Sequence, residues 1–228
     1  MCMQRHWCIG AATLAAASAA SADFIGFDGR VAEIGEYTVI KMYALYDQPD
    51  IALNLFEAQV NAKDGAGFSH SDIQVGAGGT WQPTASFDVP GFSDSSIDSF
   101  VTVGYGVGEE AAFNGTSLDC GWVCTGGSGI GPKVPPGAGW YNSIAGNDQV
   151  AEAQAGFDYA VWVGQFAFAT ARVDAAGARD FFTFGLQIGS KDASGEVFFG
   201  QDYFVWTPAP GALAIFGLGG VAFRRRRV

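Results

Sequence analysis

Apolar and polar residues alternate along much of the chain with a period of two, which is the pattern of strands that bury one face. In residues 180–188 every second side chain is apolar, namely Phe182, Phe184, Leu186 and Ile188. The same alternation predicts further strands over residues 37–44, 51–60, 97–107, 157–170 and 196–206. Turns rich in Gly, Asp and Asn separate these segments, so the pattern predicts an all-β fold.

Residues 114–147 break this alternation. The stretch is rich in Gly, Pro, Ser and Asn and predicts a long irregular loop region, either functional or folded over the sheets. Residues 151–155 are expected to add one short helical turn. Because residues 23–206 contain no repeat and no polar linker, the sequence predicts a single jelly-roll-like β-sandwich over this range.

The net charge of the chain limits the classes of partner that it can bind. The formal net charge is −11, but five of the 12 basic residues lie in the end segments. The body therefore sets seven basic residues against 23 acidic ones, a balance of −16. Such a surface repels phosphate backbones, which disfavours nucleic acid and leaves cations, neutral glycans and protein surfaces as partners.

Residues 1–22 have the three parts of a secretory signal peptide. A basic start with Arg5 is followed by a small apolar run, and the small residues Ala20 and Ala22 precede the expected cleavage after Ala22. The alternative is an Ala-rich helix of the fold, but the run has no polar face. The segment is therefore expected to direct export and to be removed by signal peptidase.

The other end, residues 207–228, joins a Pro-x-Pro motif to a short apolar segment and a basic cluster. The motif is Pro208, Ala209 and Pro210, and the chain then runs without a charge over residues 211–223. Four arginines follow, Arg224, Arg225, Arg226 and Arg227. The apolar segment is short of the roughly 20 residues that cross a bilayer, and the arginines are expected to stay on the cytoplasmic side.

This ordered tail resembles the sorting tail of PEP-CTERM proteins, although Ala209 stands where that family commonly has Glu. The resemblance covers about 22 residues at the C-terminus and implies sorting to the envelope or extracellular matrix by an exosortase, a membrane enzyme that removes the tail. A weak permanent membrane anchor is the alternative.

Two sets of residues in the body have the chemistry of structural sites. Cys120 and Cys124 are expected to form a disulfide in an exported protein. Acidic residues cluster at two places, and these offer calcium ligands or are solvated acidic turns; they are Asp88, Asp94 and Asp98, and Asp47 and Asp50. His70 is expected in an exposed loop, and one histidine without a nucleophile motif gives no catalytic triad.

Flat aromatic rings stack on the apolar faces of sugars, and three rings lie in the irregular region. These are Trp122, Trp140 and Tyr141, which either form a glycan-binding platform or pack the loop onto the sheets. Trp162 lies in an apolar strand and is expected in the core.

The sequence therefore predicts an exported, non-catalytic protein of the envelope or matrix, processed by signal peptidase and an exosortase-like enzyme. The alternative is a carbohydrate-binding module that uses the loop aromatics, with calcium assisting and exopolysaccharide as the partner. A third hypothesis is an enzyme whose glycan-active site is built from residues dispersed along the chain.

Overall fold

The computed structural model describes residues 24–71, 81–83, 89–105, 116–122, 131–142, 149–176 and 179–208. The signal segment and the tail from Ala209 onward lie outside these ranges. Within them the chain forms two antiparallel sheets and one short helix, which confirms the prediction of an all-β fold. No helix in these ranges is long and apolar enough to cross a membrane.

The strands follow one another along the chain as β1 (Phe24–Ile34), β2 (Tyr37–Tyr46), β3 (Ile51–Ala62), β4 (Phe100–Val101), β5 (Ser117–Leu118), β6 (Trp140–Tyr141), β7 (Glu152–Gln154), β8 (Phe157–Ala169), β9 (Phe182–Lys191) and β10 (Val197–Trp206). The first sheet has the order β1-β2-β8-β4, with β7 also paired to β8. The second sheet has the order β10-β9-β3-β6-β5. Five of the six strand segments predicted from alternation are long strands of these sheets.

The core lies between the inner faces of the two sheets, as in a β-sandwich. The first sheet contributes Ile40, Met42, Phe166 and Phe168, and the second contributes Phe182, Phe184, Leu186 and Ile188. Aromatic rings meet across the interface, as where Phe166 and Phe184 have their centroids 5.6 Å apart. The face predicted for residues 180–188 is therefore confirmed as the buried one.

The predicted strand over residues 97–107 is largely wrong. Among residues 97–105, the part of this range that the structure describes, only Phe100–Val101 is a strand, and it follows a 3₁₀ turn over Ser95–Ile97. Beyond it the Thr102 hydroxyl donates to the Tyr105 carbonyl at 2.5 Å. The Thr102 and Gly104 backbone N–H groups still donate to carbonyls of β8, at 3.2 and 2.8 Å. Gly104 has a φ of 97°, however, so the chain leaves the extended conformation and does not continue as a regular strand.

The predicted helical turn at residues 151–155 is also wrong, because Glu152–Gln154 forms strand β7 against β8. The two strands are joined at Ala155 and Gly156, whose φ angles are 53° and 82°. Two successive positive φ angles are what a tight type I′ hairpin requires. Ala rarely takes this conformation, so its presence hid the hairpin.

The edges of the two sheets meet where β1 lies beside β10. The Asp202 carboxylate on β10 accepts a hydrogen bond from the Phe27 backbone N–H at 2.8 Å. A Cβ on Gly26 would come within 2.6 Å of the same carboxylate oxygen. An acidic side chain turned into a strand edge blocks further strand addition, so Asp202 closes this seam.

The helix α1 (Thr170–Ala176) is tied to the turn after β3 by one ion pair. Arg172 donates two hydrogen bonds of 2.7 Å to the Asp64 carboxylate and a third, of 2.8 Å, to the Gly67 carbonyl. The hydrogen bonds from Arg172 lower the pKa of Asp64. A planar guanidinium bound to both carboxylate oxygens fixes geometry as well as charge.

Asp64→Asn is expected to lower the free energy of unfolding at pH 7 by less than about 1 kcal/mol, because the pair is partly exposed. A carboxyl with a lowered pKa stabilises the fold above its unfolded pKa of about 3.9 and loses that effect as the pH falls through its folded pKa. The variant and the parent should therefore converge in acid. Urea denaturation across this range measures the difference, with exposed Asp158→Asn as the control; a gap that widens in acid would contradict the prediction.

Candidate functional site

The two tryptophans predicted to bind glycans lie in the core. Trp140 is fully buried, and its indole N–H donates to the carbonyls of Thr102 and Val163 at 3.0 and 3.2 Å. Trp122 is buried as well and donates to the Gly139 carbonyl at 2.8 Å. Neither ring has a free face on which a sugar could stack, so the prediction is corrected for both residues.

These indoles pack the irregular segments onto the sheets, which is the alternative that the sequence left open. Trp81 packs against Trp122, and Trp122 packs against Trp140. The ring centroids are 5.3 Å apart in the first pair and 6.4 Å apart in the second. Trp81 donates to the Gly131 carbonyl at 2.9 Å. Each of these buried N–H groups donates to at least one backbone carbonyl outside the regular strands, namely that of Gly131, Gly139 or Thr102.

Tyr141, the third predicted ring, lies on the outside of the second sheet. Its side chain is 40% exposed, whereas its neighbour Trp140 points inward. In the register of the sheet it pairs with Asn54 on β3, which pairs with Gly189 on β9. Gly189 in turn pairs with Phe199 on β10. One row of residues therefore crosses four strands of the outer face.

The outer face of the second sheet carries an unusual set of aromatic and amide side chains, which we name the aromatic–amide face. Its aromatic members are Phe56, Tyr141, Phe199 and Tyr203, and its amide members are Asn54, Gln59, Gln187 and Gln201. Phe199 and Tyr203 are 69% and 53% exposed. Large rings exposed on one face of a sheet mark a surface that binds a partner or ligand.

Two glycines of β9 form the floor beneath the exposed rings. At Gly185 a Cβ would lie 2.5 Å from the Tyr203 ring. At Gly189 it would meet both the Asn54 amide oxygen and the Phe199 ring. The rings therefore lean across β9, and a side chain at either glycine would displace them. Phe56, on β3 at the other side of β9, contacts Phe199 with ring centroids 6.2 Å apart and nearly perpendicular planes.

The face is almost free of charge, although the body of the protein is strongly acidic. Strands β3, β9 and β10 together contain three charged residues, Glu57, Lys191 and Asp202. Asp202 turns away toward β1, and Lys191 is the last residue of β9. Glu57, at a bulge of β3, is exposed with a φ of 55°. The rings are thus surrounded by amides rather than by carboxylates.

The predicted disulfide is not seen. Cys120 is a free, exposed cysteine in a 3₁₀ turn, and Cys124 lies outside the described residues.

The acidic residues considered as calcium ligands lie in different environments. Asp94 accepts hydrogen bonds from the N–H and hydroxyl of Ser96, and Asp50 is buried. Asp47 is exposed, and Asp88 lies outside the described residues. In the part of the chain that the structure describes, no three His, Cys, Asp or Glu side chains are grouped to hold a metal ion.

His70 and Trp162 lie where the sequence did not place them. The His70 side chain is 3% exposed, 3.6 Å from the Asp98 carboxylate and 4.6 Å from the Trp81 ring centroid, so it is not an exposed loop residue. Trp162 is half-buried on the outside of the first sheet rather than in the core. The Lys41 ammonium lies 4.4 Å above its ring, in a cation–π contact.

A cavity of about 220 Å³ lies beside the end of β3. Most of its lining is apolar and comes from Val60, Ala62, Phe68, Val134, Pro135 and Pro136, with Asn61 and Lys133 also contributing. It lacks the convergent polar groups that fix a small ligand.

The aromatic–amide face is therefore the best candidate for a functional site in the described residues. It combines exposed rings, hydrogen-bonding amides, a glycine floor and little charge. In comparisons with known proteins, no family model, no curated protein and no solved structure matches the chain.

Proposed function

We propose that the protein is an exported, non-catalytic component of the cell envelope or extracellular matrix that binds an uncharged polysaccharide. The observation that carries the proposal is the pair of exposed rings, Phe199 and Tyr203, set among amide side chains. Sugar rings present apolar C–H faces that pack on aromatic rings. Their hydroxyls both donate and accept hydrogen bonds, as amides do.

Charge favours a neutral ligand over an anionic one. The body has a balance of −16, and an anionic polymer approaching it would meet a repulsive field. The aromatic–amide face itself offers one cation, Lys191, at its end. An uncharged chain incurs neither repulsion nor the cost of desolvating a charge.

The end segments support export and sorting. Residues 1–22 have the parts of a signal peptide, and residues 207–228 resemble a PEP-CTERM tail. Signal peptidase and an exosortase-like enzyme are the proposed processing partners, and the inner membrane holds the tail at least until it is cleaved. We also propose that the domain is a jelly-roll-like sandwich, a class built from two antiparallel sheets.

The polysaccharide proposal is tested by native electrophoresis of the exported protein through gels that contain hydroxyethylcellulose, galactomannan, pullulan or alginate. At least one of the three uncharged polymers should retard the protein, and anionic alginate should not. Free migration in all three uncharged gels, or retardation by alginate alone, would overturn the proposal.

The sorting proposal is tested by the mass of the mature protein purified from its native host. Cleavage should place the first residue at Asp23 and the last near residues 207–210. A protein that retains Arg224–Arg227 would show that the tail is a permanent anchor.

A further inference from the structure

The three central outward residues of β10 are a ring, an amide and a second ring, and exposed Val197 and Val205 flank them. Phe199, Gln201 and Tyr203 follow one another on this face at every second position. Two residues of a strand rise about 6.6 Å, so the two rings lie about 13 Å apart along the strand, with the amide midway. One pyranose unit is too short to contact both rings.

The neighbouring strand, β9, places a second amide beside the one on β10. Gln201 pairs with Gln187 on β9, so two amides lie together between the rings. On the outward face, the β9 residues on either side of this amide pair are Gly189 and Gly185, whose lack of side chains leaves room for the rings. The face therefore offers a stacking position, a hydrogen-bonding position and a second stacking position in a line.

Resting on the proposed function, we infer that the ligand is a linear chain of uncharged sugars that lies along β10. One sugar unit packs on Phe199, another packs on Tyr203, and the units between them hydrogen-bond to Gln201 and Gln187. An extended glycan, such as a β-1,4-linked one, matches the length of an extended strand better than a coiled glycan does. Two contacts on one chain act together, so binding strengthens sharply once the ligand is long enough to reach the second ring.

The direction in which the glycan lies on the sheet follows from how exposed each aromatic ring is. The two most exposed rings of the face are both on β10, whereas Phe56 is half-buried and Tyr141 lies about three strand spacings, or roughly 14 Å, from Phe199. A chain running across the strands would have to use Tyr141 instead of Tyr203. The two directions therefore depend on different residues.

A second copy of this chain is the competing occupant of the face. Pairing two bodies with a balance of −16 each would bring like charges together. The amides between the rings would also lose water without the closely matched partners that sugar hydroxyls provide. Light scattering should therefore find a monomer, and a dimer that Tyr203→Ala dissociates would overturn the inference.

The experiment is a calorimetric titration of the mature protein with cello-oligosaccharides and manno-oligosaccharides of one to six units. At least one series should show a rise of about tenfold or more in affinity as the chain comes to reach both rings, followed by a plateau. Tyr203→Ala should abolish this step and leave weak binding that does not depend on length. Tyr141→Ala should keep the step.

The results distinguish a failure of the linear-chain inference from a failure of the proposed function. Equal affinity per chain at every length, in a protein that uncharged polymers still retard in gels, overturns the linear-chain inference and leaves the proposed function standing. Loss of the step in Tyr141→Ala but not in Tyr203→Ala assigns the chain to the direction across the strands and also overturns the inference. Absence of retardation in every uncharged gel overturns both.

Discussion

Trp140→Ala is expected to destabilise the domain by about 3–5 kcal/mol, because it removes a fully buried ring and leaves a cavity between the sheets. The carbonyls of Thr102 and Val163 also lose their shared donor. A typical domain is stable by only 5–15 kcal/mol, so the melting temperature should fall by about 10 °C. Urea and thermal denaturation measure this loss.

Trp162→Ala is the matched control for Trp140→Ala. Its ring is half-buried on the outside of the first sheet, where it contacts Lys41 and lies 5.5 Å from the Phe100 ring. Removing it leaves no closed cavity, so the loss of stability should be clearly smaller than for Trp140→Ala. If Trp140→Ala folded with parental stability and lost polysaccharide binding, the core position of Trp140 would be contradicted.

The double variant Phe199→Ala/Tyr203→Ala is expected to lose detectable binding of uncharged polysaccharide while remaining folded. Exposed aromatic anchors at binding surfaces commonly contribute about 2 kcal/mol each. Since 1.4 kcal/mol is a factor of ten, losing both rings should weaken binding by at least about a hundredfold. Calorimetry measures the affinity, and circular dichroism checks the fold.

Phe92→Ala is the matched control for the double variant. Phe92 is 63% exposed, nearly as much as Phe199, but it lies in a turn outside the aromatic–amide face. Its removal should leave affinity unchanged. Equal losses in Phe92→Ala and in the double variant would indicate nonspecific adhesion of exposed rings.

The sequence predicted five of the six long strands, β2, β3, β8, β9 and β10, from the alternation of apolar residues, and it did not predict β1. Phe182, Phe184, Leu186 and Ile188 all face the core, as expected. It failed where local backbone geometry decides the structure. The hairpin at Ala155 depends on a positive φ in a residue that seldom adopts one. The regular strand ends at Val101, and Gly104 soon after it has a φ of 97°.

The candidate site could be predicted only in part, because β10 is apolar on both faces. Phe198, Phe204 and Trp206 pack on the core, while Phe199 and Tyr203 alternate with them and face outward. Period-two alternation cannot tell which of two apolar faces is buried. The signal available in the sequence was this excess of rings on both faces of one strand.

The loop tryptophans could not be placed from the sequence for a different reason. Whether Trp122 and Trp140 point in or out depends on backbone carbonyls that are distant along the chain, such as those of Gly139 and Val163. No local pattern encodes these partners. Tyr141 was placed on an exposed surface, but that surface is a sheet rather than the loop platform expected.

The most direct test of the central claim is a ¹⁵N NMR titration of the mature protein with cellohexaose and mannohexaose. At least one of the two hexamers should shift backbone amide resonances of β9 and β10, above all those of Gln187, Phe199, Gln201 and Tyr203. Resonances of the first sheet around Lys41 and Trp162 should stay in place. Shifts confined to the first sheet, or no shift with either hexamer, would contradict binding at the aromatic–amide face.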